Sequence, residues 1–118
     1  MYKVAGHFIK EFQGQSGSNT ANILKAAAGK VLIIDEAPGL SANGDYGRQV
    51  LNTLVAKLDE GCGQDIAVVM CGNKKEMDDM MKRTPGLSSR FSQKFIIEGY
   101  NDDQVRDTLT AAMFMKCL

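Results

Sequence analysis

The chain has 118 residues, 44% hydrophobic and 24% charged, with 14 basic and 14 acidic side chains and a formal net charge of zero. That length supports one domain with one core, and the charge balance offers no basic footprint for nucleic acid. The longest apolar runs, at residues 31–34 and 66–71, are too short to span a bilayer.

Cys62, Cys71 and Cys117 are odd in number and lack metal-ligand spacing, and His7 stands far from them in sequence. Free thiols in a reducing compartment are expected, without a structural zinc site. The first ten residues do not join a basic start to an apolar stretch, so they do not read as a secretory signal. Lys74-Lys75 and Lys82-Arg83 have acidic residues between them and read as a solvated helix face. A soluble, cytoplasmic protein with no membrane and no nucleic-acid partner is the expectation.

In chain order, residues 11–18 are rich in Gly, Ser and Gln and are expected to form a loop. Ser18 or Asn19 can cap a helix over about residues 20–28, which Gly29 would end. Residues 30–34, Lys-Val-Leu-Ile-Ile, suit a strand buried on both faces of a parallel sheet. Residues 37–46 hold Pro38, Gly39, Asn43 and Gly44 and are expected to be loop. Residues 48–60 form an amphipathic helix, with Val50, Leu51, Leu54, Val55 and Leu58 at the helical period.

A second apolar strand covers residues 66–71. A short helix with Met77, Met80 and Met81 covers residues 75–82, and a Pro85-Gly86 turn follows. Residues 94–97 form a third strand. Asn101 or Asp102 can cap a last helix carrying Val105, Leu109, Ala112 and Met113 on one side. Strands alternating with helices predict an α/β fold with a largely parallel sheet.

Leu32-Ile33-Ile34-Asp35-Glu36-Ala37 places two carboxylates at the carboxyl end of a buried strand, the edge where open α/β sheets bind ligands. Asp35 can hold a magnesium ion through water, and Glu36 can polarise an attacking water in phosphoryl transfer. The competing reading is a solvated strand end. Asn73 follows the next strand, where its amide can bond the attacking water or a terminal phosphate; otherwise it is a turn-favouring Asn after Gly72. Pro85-Gly86-Leu87-Ser88-Ser89-Arg90-Phe91 sets an arginine after a rigid turn, at the start of a strand. There it can reach a nucleotide on a neighbouring subunit or simply lie on a surface loop.

In this order the segments resemble the AAA+ ATPase superfamily, within it the clade of the sporulation stage V protein K type and the red-type Rubisco activases. The resemblance covers about residues 10–109. It rests on the acidic strand with Ala37, on Asp45-Tyr46-Gly47, on the Gly72 turn and on the segment ending at Arg90-Phe91. It implies a P-loop NTPase-type three-layer sandwich with a parallel sheet, here a partial AAA+ core, and it implies ATP and Mg2+ as cofactors. The Walker B acids fall at Asp35, the metal-linked cofactor ligand, and at Glu36, the base. The sensor-1 position falls at Asn73 and the arginine finger at Arg90.

Glu11-Phe12-Gln13-Gly14-Gln15 is similar to the family's pore-loop motif, in which Phe12 and Gly14 would grip a polypeptide. The implied layout is a pore-loop region at 10–18, Walker B strand at 30–37, sensor-1 strand at 66–73, arginine-finger segment at 84–91 and the start of a lid helix at 101–115. The implied activity is ATP hydrolysis coupled to remodelling a protein client, in a homo-oligomeric ring such as a hexamer.

Three features depart from the pattern. The sequence contains no Gly-x-x-x-x-Gly-Lys-Ser/Thr, since Gly14-Gln15-Ser16-Gly17-Ser18 lacks the lysine. In the family that loop precedes the pore loop, so it and the first strand would fall before Met1, leaving residues 94–97 without a neighbour strand. The isolated chain is therefore expected to be inactive. Pro38 stands where the clade often has an aromatic, and Asn73 where it often has Tyr. Two other readings stay open. One is a helicase fragment, disfavoured by Cys71-Gly72-Asn73 in place of a Ser-Ala-Thr type motif. The other is a non-hydrolysing assembly or regulatory subunit, or a truncated product.

Overall fold

The computed structural model describes residues 1–8, 15–42, 44–58, 66–97 and 111–116. Five strands, β1 (Tyr2–Val4), β2 (Val31–Asp35), β3 (Ala67–Asn73), β4 (Gln93–Ile97) and β5 (Ala111–Lys116), form one sheet in the order β1-β2-β3-β5-β4. β1, β2 and β3 are mutually parallel. β5 runs antiparallel to both of its neighbours, β3 and β4, so β4 points the same way as β3. The helices are α1 (Gln15–Ala26), α2 (Pro38–Ala42), α3 (Gly44–Lys57), α4 (Lys74–Arg83) and the single turn α5 (Leu87–Arg90).

From β1 to β4 the chain crosses the sheet in one direction, and right-handed crossovers then put every connecting helix on the same face. The contacts agree: α3 touches α1, α2 and α5, and α4 touches α2 and α5. Leu32 and Ile34 of β2, Val68 and Met70 of β3, and Ala112 and Phe114 of β5 share the covered face by register and are buried. The strand at 30–34 was expected to be buried on both faces, but Val31 and Ile33 on the opposite face are 40% and 37% exposed. The reason is that the described helices lie on the other side.

Three further expectations are corrected. First, residues 38–42 and 44–46 are helical instead of loop, because proline is accepted at the first helical position of α2 and Gly44 supplies a left-handed residue, φ 58, where α3 starts. Gly47 then allows α2 and α3 to touch, since a Cβ there would lie 1.6 Å from the carbonyl oxygen of Leu40. Second, residues 111–116 form a strand instead of the end of a helix. The gap between β3 and β4 offers backbone partners on both sides, and that tertiary pairing outweighs the helix preference of Ala and Met. Third, β4 therefore does have a neighbour, β5. Residues 98–110, with the rest of the expected last helix, lie outside the described residues.

A fourth correction falls on the first helix: residues 15–18 are helical instead of loop, since α1 begins at Gln15, and neither Ser18 nor Asn19 caps it, although its glycine end is as expected. Gly29 follows α1 in the left-handed conformation, φ 77. Asn19 sits inside α1 instead of capping it, and its amide donates to the carbonyls of His7 (2.7 Å) and Phe8 (3.3 Å), tying the helix to the segment after β1. α4 is held to β4 by Asp78, which accepts from Lys94 (2.7 Å) and Lys74 (3.0 Å).

Candidate functional site at the carboxyl edge of the sheet

The parallel register sets Asp35 beside Val4 on one side and one step past the Ile34–Met70 pair on the other, level with Cys71. Both oxygens of its carboxylate are held. Oδ2 accepts from the Tyr2 hydroxyl at 2.5 Å, and Oδ1 accepts from the Glu36 backbone N–H at 2.9 Å and the Cys71 thiol at 3.4 Å. The Tyr2 hydrogen bond is the largest influence on Asp35; burial, the next largest, opposes it, and the Cys71 and Glu36 hydrogen bonds add to it, so the pKa lies below the usual carboxylate value. The same contact raises the Tyr2 phenol. Burial, then the neighbouring carboxylate, pushes the Cys71 thiol up to about 11.

Glu36 is exposed and has φ 54, the one non-glycine residue with positive φ among the described residues. Such a conformation costs on the order of 1–3 kcal/mol and persists where the surroundings impose it. The surroundings are visible. The Ala37 N–H donates to the Cys71 carbonyl at 3.1 Å, and the Gly39 N–H donates back to the Glu36 carbonyl at 2.9 Å. Ala37 is fully buried. Gly72 completes the corner, because a Cβ there would stand 2.6 Å from Pro38 Cδ. The chain thus turns sharply after Asp35, sending Glu36 outward while α2 folds against β3.

Asn73 ends β3 at the same edge. Its Oδ1 caps α4, accepting from the N–H groups of Lys75 (3.0 Å) and Glu76 (3.3 Å). Asp35, Glu36 and Asn73 are therefore brought to one sheet edge. Arg90 is not among them. Contrary to its expected place on a turn at the start of a strand, it is the last residue of α5, and its Nε donates to the Leu58 carbonyl (3.3 Å) beyond α3. β4 begins three residues later, level with Val69 through Met115, so Arg90 stands toward the amino edge of the sheet. Phe12 and Gly14 lie outside the described residues.

Sequence reasoning passed over Tyr2 and Cys71. Both reach Asp35 only through strand register, which no local motif reports. Among the described residues no group of three or more His, Cys, Asp or Glu side chains could hold a metal alone. The donor chemistry at Asp35 still suits a hard cation held through water. A carboxylate has about four lone-pair sites, and three protein donors leave room for a water of a magnesium shell.

An α/β sheet with oriented acids at the carboxyl end of an inner strand is a module of the P-loop NTPase type. The model of the ATPase family associated with various cellular activities (AAA) matches residues 1–99, and the chain belongs to that family. It is 30% identical over 103 residues to the ESX-1 secretion system protein EccA1 of Mycobacterium tuberculosis, covering 83% of this chain and 18% of that protein. It is 29% identical over 101 residues to stage V sporulation protein K of Bacillus subtilis, covering 84% and 31%. It is 32% identical over 101 residues to the chromosomal CbxX protein of Cupriavidus necator, covering 83% and 32%. The chain spans between about a fifth and a third of these relatives' length.

Proposed function

We propose that this chain contributes the hydrolytic edge of an AAA+ machine that uses ATP and Mg2+ to remodel a protein client in a homo-oligomeric ring. The single observation that carries the proposal is the corner at Asp35-Glu36. One carboxylate is oriented by three donors, and the next is thrown outward in a left-handed conformation. Mg2+, when bound, would offset phosphate charge, held through water by Asp35. Glu36 would accept the proton of the attacking water as its oxygen bonds to the terminal phosphorus and the bond to the leaving phosphate breaks. The Asn73 amide would orient that water. Arg90, on the far edge, would serve a neighbouring copy's nucleotide by neutralising charge in the transition state, and Phe12 with Gly14 would engage the polypeptide.

The test is a mixing experiment in an assembly competent for hydrolysis. Glu36→Gln is expected to keep ATP binding and nearly stop turnover. Arg90→Ala is expected to do the same. Mixtures of the two should recover part of the activity, because some interfaces then pair an intact base with an intact finger. A near-normal rate for Glu36→Gln would refute the base assignment, and a near-normal rate for Arg90→Ala would remove the finger and the ring.

A second reading is a non-hydrolysing assembly subunit, which would keep Arg90 for a neighbour's site and bind no nucleotide itself. On either reading the 118-residue chain alone is expected to bind ATP weakly and to show no turnover. Sub-millimolar affinity by calorimetry would overturn that expectation.

A further inference from the structure

We infer that Tyr2 is a positioning residue for Asp35, fixing the carboxylate through which a divalent cation is held; this rests on the proposed role of Asp35. Tyr2 is 58% exposed, so its ring adds little to the core. Yet its hydroxyl makes a 2.5 Å bond to Asp35 Oδ2 across 33 residues of sequence. β1 is only three residues long, and its register is what delivers that hydroxyl. Tyr2 pairs with Ile33 and Val4 with Asp35, so the Tyr2 side chain stands on the same sheet face as Asp35, one pleat back.

The three donors divide the work. The Glu36 N–H and the Cys71 thiol both hold Oδ1, and Tyr2 alone among the described residues holds Oδ2. Without the phenol, the carboxylate is tethered on one oxygen and can swing about its terminal torsion, which is broad for Asp. With it, both oxygens are fixed before any cation arrives. Tyr2→Phe removes the donor and keeps the ring, so it isolates this effect.

The experiment uses Mn2+ as the probe, followed by the electron-spin resonance of the free ion, in a hydrolysis-competent assembly with and without ATP. Asp35→Asn and Tyr2→Phe are compared with the unaltered protein. Tyr2→Phe is expected to weaken Mn2+ binding in the presence of ATP by about three- to tenfold, in line with loss of one hydrogen bond to a charged group at an exposed site. Metal-free nucleotide affinity and the thermal midpoint should not move. In steady state the Mg2+ concentration for half-activation should rise by the same factor, with kcat at saturating Mg2+ retained. A merely structural role would not produce that split. Mn2+ binding by Tyr2→Phe equal to the unaltered protein, with Asp35→Asn impaired, overturns the role of Tyr2 and leaves Asp35 standing. Asp35→Asn that binds Mn2+ normally, or an unaltered protein that holds no Mn2+, overturns both.

Discussion

Replacing Gly47 with alanine tests whether the contact between α2 and α3 is as close as it stands. The added methyl would lie 1.6 Å from the Leu40 carbonyl oxygen and 2.7 Å from its carbon, far inside any van der Waals distance. Both obstacles are backbone, so neither can rotate away and the two helices must separate. Overpacking of this kind costs about 1–3 kcal/mol, and a backbone-on-backbone clash belongs at the upper end. Opposing it is the helix-propensity gain of alanine over glycine, about 1 kcal/mol. A net loss of about 1–2 kcal/mol follows, read as a lower urea midpoint at unchanged slope. Gly6→Ala is the control, because its Cβ would meet nothing within 4 Å, and it should stay within about 0.5 kcal/mol. An unchanged or raised midpoint for Gly47→Ala would refute the reasoning, since propensity would then have won over packing.

The Cys71 thiol, pushed up to about 11 from its ordinary 9.0, should alkylate at pH 8 about a hundredfold more slowly in the folded chain than in urea. Peptide mapping after iodoacetamide follows the rate, and a folded rate within a fewfold of the unfolded one would contradict the buried, carboxylate-facing thiol. Asp78 is held below the usual carboxylate value, first by Lys94 and then by Lys74. A depressed carboxylate pKa adds stability that is present above the unfolded value, about 3.9, and lost as pH falls through the folded one. Asp78→Asn should therefore lose less stability than the unaltered chain between pH 5 and lower pH; parallel urea-midpoint profiles would exclude the linkage.

Much of this was legible locally, for identifiable reasons. The helical period of Val50, Leu51, Leu54 and Leu58 and the methionines at 77, 80 and 81 mark the helices, and both give buried faces. The apolar run before Asp35 marks β2. β1 was not legible, because three residues cannot display a period. Pro38, Gly39 and Gly44 suggested a loop, since breakers and a permitted helix start look alike in sequence. The Ala-Met-rich β5 has helix-forming residues, and only the empty place beside β3 makes it a strand. The Asp35 corner was found through its two acids, whereas the Tyr2 and Cys71 contacts needed the register. The amide of Asn73 marks it in the sequence, whereas its capping bonds to Lys75 and Glu76 depend on where α4 begins.

The place of β5 has a consequence for how the chain is made. Within the described sheet, β4 pairs with β5 and not directly with β3. Among the described strands, the one that joins them is therefore synthesised after the other four. Until it arrives, β1, β2 and β3 can already form a ladder, while β4 carries Phe95, Ile96 and Ile97, each about half exposed even in the finished fold. Synthesis proceeds at roughly 5–20 residues per second, so the nascent chain spends a period with an apolar strand and no ladder to join. During that interval the exposed apolar strand is prone to aggregation.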